Sequence, residues 1–373
     1  MSELTELLGQ HVARGTAPGI LVADGTADGR LEIVTAGDLA DDAIVRIQSM
    51  TKAVTAVAAL RLVQAGRLSL DDPVERWLPE LAGRRVLRTP TSPLTDTEPA
   101  RGPITVRHLL TNTSGYGMVA VPSPLKDAMI ANRTEASQDA VELGAQEWLD
   151  ALADLPLAFQ PGDGWRYHQS FGILGILLSR LTGGPLEEHL TTDLFEPLGM
   201  ADTAFTVPAE KAGRLPAAFR RDDQGALVEV EPRAGGFYLA PAPFDVSHAE
   251  LVSTARDYAA FARMLASGGV VGGEQFVDPE LLGLMRTDQI ADALKTPDGF
   301  FPGFWDGVGW GFGVAVITGT EHAARFGWSG GLGTDFFVDP DGSFRIVLTQ
   351  MEMGAAVMGL FEDLQRLPVR PLS

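Results

Sequence analysis

A chain of 373 residues with 45% apolar content has ample material for a buried core, in one large domain or two interleaved ones. Its 29 basic and 49 acidic residues leave a formal net charge of -20, which disfavours nucleic acid and anionic membrane surfaces as partners. The absence of cysteine excludes disulfides, thiolate nucleophiles and cysteine-ligated metals, and no apolar run approaches the roughly 18 residues that span a bilayer.

The first residues, Met1 to Gly15, lack a basic start followed by an apolar stretch, so a cytoplasmic location is expected. Leu4–Ala13 predicts a short amphipathic helix, and Gly19–Ala23 with Leu31–Thr35 predicts a hairpin. A third short strand over Ala43–Ile47 runs into Ser49–Leu60, which is apolar almost all round and stops at Gly66, the pattern of a buried helix with a glycine C-cap. From Asp71 to Gly199 helical patterns at Thr105–Leu110, Ala145–Ala153, Phe171–Leu181 and Leu186–Phe195 alternate with Pro-, Gly- and Thr-rich connections. Thr203–Ser247 reads as irregular, Ser253–Leu265 opens another capped helix, and a long loop follows it. Strand patterns return at Gly309–Thr318, Ala324–Trp328, Thr334–Val338 and Phe344–Gln350, the last two joined by the turn Asp339-Pro340-Asp341-Gly342, and Ala355–Leu367 closes the chain as a helix. Strands at both ends and helices between predict an α+β fold in which residues 1–66 and 203–373 form a discontinuous sheet domain, residues 67–202 an inserted all-helical domain, and the cleft between them the active site.

Only four basic residues are lysine, at Lys52, Lys126, Lys211 and Lys295. Guanidinium stays protonated in proteins whereas a buried ammonium can lose its proton, so a lysine kept inside an apolar segment is a candidate base. Ser49-Met50-Thr51-Lys52 places a hydroxyl and an amine one helical turn apart on one face, where Lys52 can take the Ser49 proton. The bland alternative is an N-cap serine with a lysine reaching solvent. The same spacing recurs in Ser123-Pro124-Leu125-Lys126, but Pro124 suits the first helical position and Asp127 makes the start polar, so that copy reads as a solvated cap. A rival nucleophile motif, Gly327-Trp328-Ser329-Gly330-Gly331, matches G-x-S-x-G, yet a strand hairpin follows it and the last histidine, His322, precedes it. The six histidines show no paired metal-ligand spacing, and His168 beside Tyr167 stands out among them. No phosphate-binding glycine loop is present, so neither metal nor cofactor is expected.

Several segments together resemble the serine beta-lactamase and penicillin-binding-protein superfamily, specifically its class C-like and family VIII carboxylesterase branch. They are Ser49-Met50-Thr51-Lys52, Gly66-Arg67-Leu68-Ser69-Leu70-Asp71-Asp72-Pro73-Val74, Ile104 to Gly115, Pro161-Gly162 leading to Tyr167, and Pro197-Leu198-Gly199-Met200. The resemblance covers about residues 15 to 350 and implies a beta-lactamase/transpeptidase-like fold, an antiparallel sheet flanked by N- and C-terminal helices with a helical insertion. It implies Ser49, Lys52 and Tyr167 as the catalytic set and the N–H groups of Ser49 and Gly331 as the oxyanion hole. Gln169 stands where the family's Y-x-N motif has asparagine, and Trp328-Ser329-Gly330 stands where lactamases carry K-T-G. Loss of that lysine removes a carboxylate anchor and implies a more neutral, apolar substrate lined by Trp328, Ser329, Gly330 and Gln169. The aromatic loop Gly299 to Asp306, with Phe304 and Trp305, and Tyr116 are expected to line the acyl or alcohol pocket or to fill the core. The resulting expectation is a serine carboxylesterase acting on small, largely neutral esters without cofactor. The alternatives are an amide-directed relative (a weak beta-lactamase or a D-amino-acid peptidase), an acyltransferase, and a catalytically silent binding module.

Overall fold

The computed structural model describes residues 2–136, 140–297 and 299–369. Its centre is a seven-stranded sheet built from the two ends of the chain. In chain order the strands are β1 (Gly19–Thr26), β2 (Leu31–Gly37), β3 (Val308–Trp310), β4 (Ala315–Ile317), β5 (Phe326–Gly330), β6 (Thr334–Val338) and β7 (Ser343–Leu348). They lie side by side as β3-β4-β5-β6-β7-β1-β2, and every neighbouring pair is antiparallel.

Side chains alternate across the sheet, so each strand must satisfy two faces. On β1, Ile20 and Val22 meet the Glu3–Ala13 and Ala355–Arg366 helices through Leu8, Val357, Leu360 and Leu364. Leu21 and Ala23 point the other way, into the main core shared with the helices Thr51–Gln64 and Ala255–Ala266. Because both faces are covered by helices, β1 reads as a continuous apolar run rather than an alternating one. The Thr51–Gln64 helix is buried on all sides from Thr51 to Leu60, and its alanines at 53, 56, 58 and 59 let neighbours approach closely. Among the described residues no helix is long and apolar enough to cross a membrane, and no group of three or more His, Asp or Glu side chains is placed to hold a metal.

Several elements differ from the sequence expectation. The strand expected over Gly309–Thr318 is a hairpin, β3 and β4, because Gly311 to Gly313 leave the ladder: Phe312 N–H donates to the Met285 carbonyl at 3.1 Å and Gly313 N–H to that of Leu110 at 3.2 Å. The third short strand shrinks to Val45–Arg46 and pairs with Val252–Ser253. The irregular stretch before Ser247 contains a second hairpin, Ala218–Arg221 with Leu227–Glu231, and the long loop after Leu265 contains a helix at Pro279–Met285. Those short elements carry little periodicity, so isolated sequence patterns do not announce them.

One ion pair crosses the sheet interior. Asp24 on β1 and Arg345 on β7 are direct cross-strand partners, and the guanidinium donates to both carboxylate oxygens at 2.6 and 2.7 Å. Both side chains are buried, and Arg345 also donates to the carbonyls of Leu364 and Leu367, tying the end of the last helix to the sheet. Replacing only Arg345 by Met strands a buried carboxylate and should cost about 3–5 kcal/mol in denaturant unfolding. The double change Asp24→Leu with Arg345→Met should recover part of that loss, and a single change costing less than the double one would contradict this account.

Candidate active site

Ser49 does not sit inside an α-helix. It lies in a 3-10 turn, Gln48–Met50, immediately ahead of the Thr51–Gln64 helix, and Gln48 has a φ of +50°, a conformation that non-glycine residues rarely adopt. The turn lifts Ser49 to the rim while Lys52, in the first turn of the apolar helix, is fully buried. Lys52 Nζ lies 2.9 Å from Ser49 Oγ and also donates to the backbone carbonyl of His248. Among the described residues Lys52 has no carboxylate partner, and burial holds its ammonium well below the ordinary pKa, which favours a neutral amine whose lone pair could take the serine proton.

The segment carrying His248 is fixed from three sides. Ser247 Oγ donates to the Phe171 carbonyl at 2.6 Å, Thr55 Oγ1 donates to the Ser247 carbonyl at 3.0 Å, and Leu251 N–H donates to Thr51 Oγ1 at 3.2 Å. It packs on the Gln169–Thr182 helix at Gly172, where a Cβ would come within 2.6 Å of His248 Nδ1 and 2.7 Å of the Trp148 ring. The His168 and His248 rings lie 4.2 Å apart, and burial holds both well below the ordinary histidine range.

Tyr167 completes the cluster. Its phenol bonds to the Ser49 side chain and accepts from Trp328 Nε1 at 2.6 Å, while the Lys52 amine stands 4.4 Å from the ring centroid. Burial pushes the Tyr167 phenol above its ordinary value, so it stays protonated. His168, which follows it and opens the next helix, takes φ +101° and ψ -77°, a strained turn geometry found where the surroundings over-determine a position.

On the far side of Tyr167 stands an aromatic wall. Phe300 lies 4.6 Å from the Tyr167 ring, Trp328 5.4 Å and Trp310 5.9 Å, and Phe304 and Trp305 close behind on Trp165 at 5.3 and 4.9 Å. These rings form their own apolar cluster with Tyr167. Strand β5 brings Trp328 in because Gly330 has no side chain: a Cβ there would collide with the Ile47 carbonyl and come within 2.9 Å of Gln48 Cβ. The Gly330 carbonyl accepts from Gly333 N–H at 3.1 Å, so the Gly331 N–H, trans across the same peptide plane, points the opposite way.

Chain positions far apart thus converge on Ser49, Lys52, Tyr167 and Trp328. Ser329 has a different neighbour, donating to Asp335 Oδ1 at 2.7 Å, and that buried carboxyl is pushed up to about 6. Gln169 is buried and donates to the Thr134 carbonyl at 3.0 Å. Tyr116 packs in the main core with its hydroxyl unpartnered rather than joining the aromatic wall, because Ser114 bonds its backbone N–H and turns the chain inward. Sequence inspection missed the His248 carbonyl, Trp165 and Trp310. A backbone carbonyl leaves no mark in sequence, whereas the two tryptophans, beside Tyr167 and in the Gly309 to Gly313 strand start, were visible as unassigned aromatics.

The Beta-lactamase family profile matches residues 4–361. The chain belongs to that family. It is 38% identical over 310 residues to an uncharacterised protein of Mycobacterium tuberculosis, covering 80% of this chain and 75% of that one. It is 31% identical over 324 residues to Esterase EstB of Burkholderia gladioli, with the same coverage of each chain. The solved structure of EstCE1, described as a hydrolase with promiscuous acyltransferase activity, superposes with a TM-score of 0.76 at 24% identity over 97% of this chain and 99% of that one, which shows the fold. This beta-lactamase-family chain is a serine hydrolase with a beta-lactamase/transpeptidase-like fold.

The buried lysine carries a stability signature. Its folded pKa is depressed below the unfolded value of 10.5, so between the two the unfolded chain binds the extra proton and stability rises with pH. Lys52→Met should therefore raise the unfolding free energy at neutral pH by ~0.5–2 kcal/mol, seen as a higher melting midpoint. That advantage should shrink as the pH approaches 10.5, which a pH series of thermal melts would check.

Proposed function

We propose that the protein is a serine carboxylesterase that cleaves small, largely neutral esters through an acyl-enzyme on Ser49. The observation that supports this most is the neutral, fully buried Lys52 amine 2.9 Å from Ser49 Oγ, beside a wall of rings where a charged anchor would be needed for an anionic substrate. The relationship to Esterase EstB agrees with an ester substrate.

In the first step the Ser49 proton moves to Lys52 Nζ as Oγ attacks the ester carbonyl. The new ammonium lies over the Tyr167 ring and donates to the His248 carbonyl, two contacts that favour the charged form only once it exists. The N–H groups of Ser49 and Gly331 receive the oxyanion. Collapse expels the alcohol oxygen, which takes the Tyr167 proton, and the proton on Lys52 then restores the phenol. Trp328 Nε1–H stabilises the transient phenolate and aims its proton at Ser49 and the leaving group. Water repeats the sequence in reverse to release the acid, and an alcohol in its place gives acyl transfer. No step uses a cofactor or partner protein.

Hydrolysis of p-nitrophenyl butyrate, with a chromogenic cephalosporin alongside, tests the reading. Ser49→Ala should abolish ester turnover, and Lys52→Arg should come close to it because guanidinium does not accept the proton. Ser329→Ala should retain most activity. Preferred cleavage of the cephalosporin, or turnover surviving Ser49→Ala, would refute the proposal.

Trp328→Phe keeps the ring and deletes one donor to a group that becomes charged, so kcat/KM should fall on the order of 10–100-fold. Activity requires the neutral amine, so the acid limb of the kcat/KM profile should lie far below pH 10.5, with turnover lost as the pH falls through the depressed Lys52 value. The elevated Tyr167 value should leave no alkaline limb from the phenol in the ordinary working range.

A further inference from the structure

A second chamber lies among the chain neighbours of Ser49, Tyr167 and Gly331, and none of the rings of the aromatic wall lines it. It is a cavity of about 610 Å³ whose walls include Gln48, Leu332, His168 and His248, the immediate surroundings of Ser49, Gly331, Tyr167 and the Lys52 amine. Unlike the aromatic side, its lining includes polar groups that hold one end to the protein and leave the other end without a partner. Gln169 spends its amide N–H on the Thr134 carbonyl at 3.0 Å, and its Oε1 is unpartnered. Glu250 accepts the Val141 N–H at 3.2 Å with Oε1, and its Oε2 is unpartnered. His248 gives its carbonyl to Lys52, and its Nδ1, also unpartnered, is packed against Gly172 of the Gln169–Thr182 helix. All three side chains are at least nine-tenths buried, with exposures of 1%, 5% and 4%.

Unpartnered polar atoms in such a place are costly unless a ligand satisfies them. Their character narrows the ligand. Burial pushes the Glu250 carboxyl up to about 8 and the His248 imidazole well below the ordinary histidine range, so this stretch of the wall favours uncharged polar groups, while charged side chains, among them Arg46, Arg133, Arg220 and Glu231, line other parts of the chamber. The uncharged stretch offers acceptors at Gln169 and a donor at Glu250, which a hydroxyl, at once donor and acceptor, can meet. Orientation follows from the proton path. The departing oxygen must reach the Tyr167 phenol, which stands against Phe300 and Trp328, so the alcohol half of the ester faces the aromatic wall. The acyl half is left with the polar chamber.

Building on the esterase reading, we propose that Gln169 and Glu250 form a subsite for a hydroxyl group on the acyl chain, so that the preferred substrates are esters of hydroxylated acids with apolar alcohols. The test compares kcat/KM for the p-nitrophenyl esters of 3-hydroxybutyrate, butyrate and 3-aminobutyrate, a series with one leaving group. Wild type should favour the hydroxyacyl ester over butyrate on the order of tenfold, as one or two buried hydrogen bonds would give. Gln169→Leu and Glu250→Leu should each bring that ratio towards one, whereas Glu250→Gln, whose amide can keep the Val141 bond and still donate, should preserve it. Ratios within one preparation do not depend on its folded fraction, so a poorly folding variant still reports. Butyrate turnover without a hydroxyl preference, a ratio unmoved by Gln169→Leu, or preference for the aminoacyl ester would overturn the subsite and leave the esterase reading standing. Failure of wild type to cleave any of the three esters would overturn both.

Discussion

The structure turns on the burial of one amine. Lys52 can serve as a base only while its environment makes the ammonium unfavourable, and everything packed around it serves that condition. The apolar helix denies it a route to water, the Ser247–His248 strap supplies a carbonyl in place of a carboxylate, and neutral imidazoles occupy the adjoining space. A single carboxylate at hydrogen-bond distance would return the proton to Lys52 and remove its basicity. Among the described residues Lys52 makes no ion pair, in contrast to Arg345 with Asp24, and that is what a base at this position would require.

Around this amine two surfaces differ in kind. Tyr167, Trp328, Phe300 and their neighbours form a stiff aromatic surface, and Trp328 adds a single directed N–H to the Tyr167 oxygen. Next to Gln48 and His168 lies a chamber with polar and charged walls, in which Gln169 and Glu250 are anchored at one end only. The dry wall suits the apolar part of the uncharged ester proposed as substrate, and a net charge of -20 on the chain as a whole disfavours anionic ones. The strain recorded in the backbone at Gln48 and His168 falls beside Ser49 and Tyr167, where fixed orientation matters most to proton transfer.

Much of this was legible in the residues themselves. Ser49 and Lys52 stand one helical turn apart in a segment too apolar to release a lysine to solvent, and that contrast alone separates them from Ser123 and Lys126. The hairpin after Ser329 argued against it as a nucleophile, and its hydroxyl is found bonded to Asp335. For Tyr116 the residues left pocket lining and core filling both open, and it lies in the core, because exposure is decided by packing partners that a local window does not contain.

The sequence by itself determined the strand and helix periods, the paired terminal segments that form one sheet, the family, and serine, lysine and tyrosine as the candidate set, since each depends on local spacing or on short motifs. Tertiary structure decided the rest. The pKa of Lys52, the His248 carbonyl that holds it, the indole bond to Tyr167 and the polar chamber beyond Gln169 each require residues separated by more than a hundred positions to meet in a low-dielectric interior. Electrostatic energy depends on those distances and on the exclusion of water, and neither quantity is written in the order of residues along the chain.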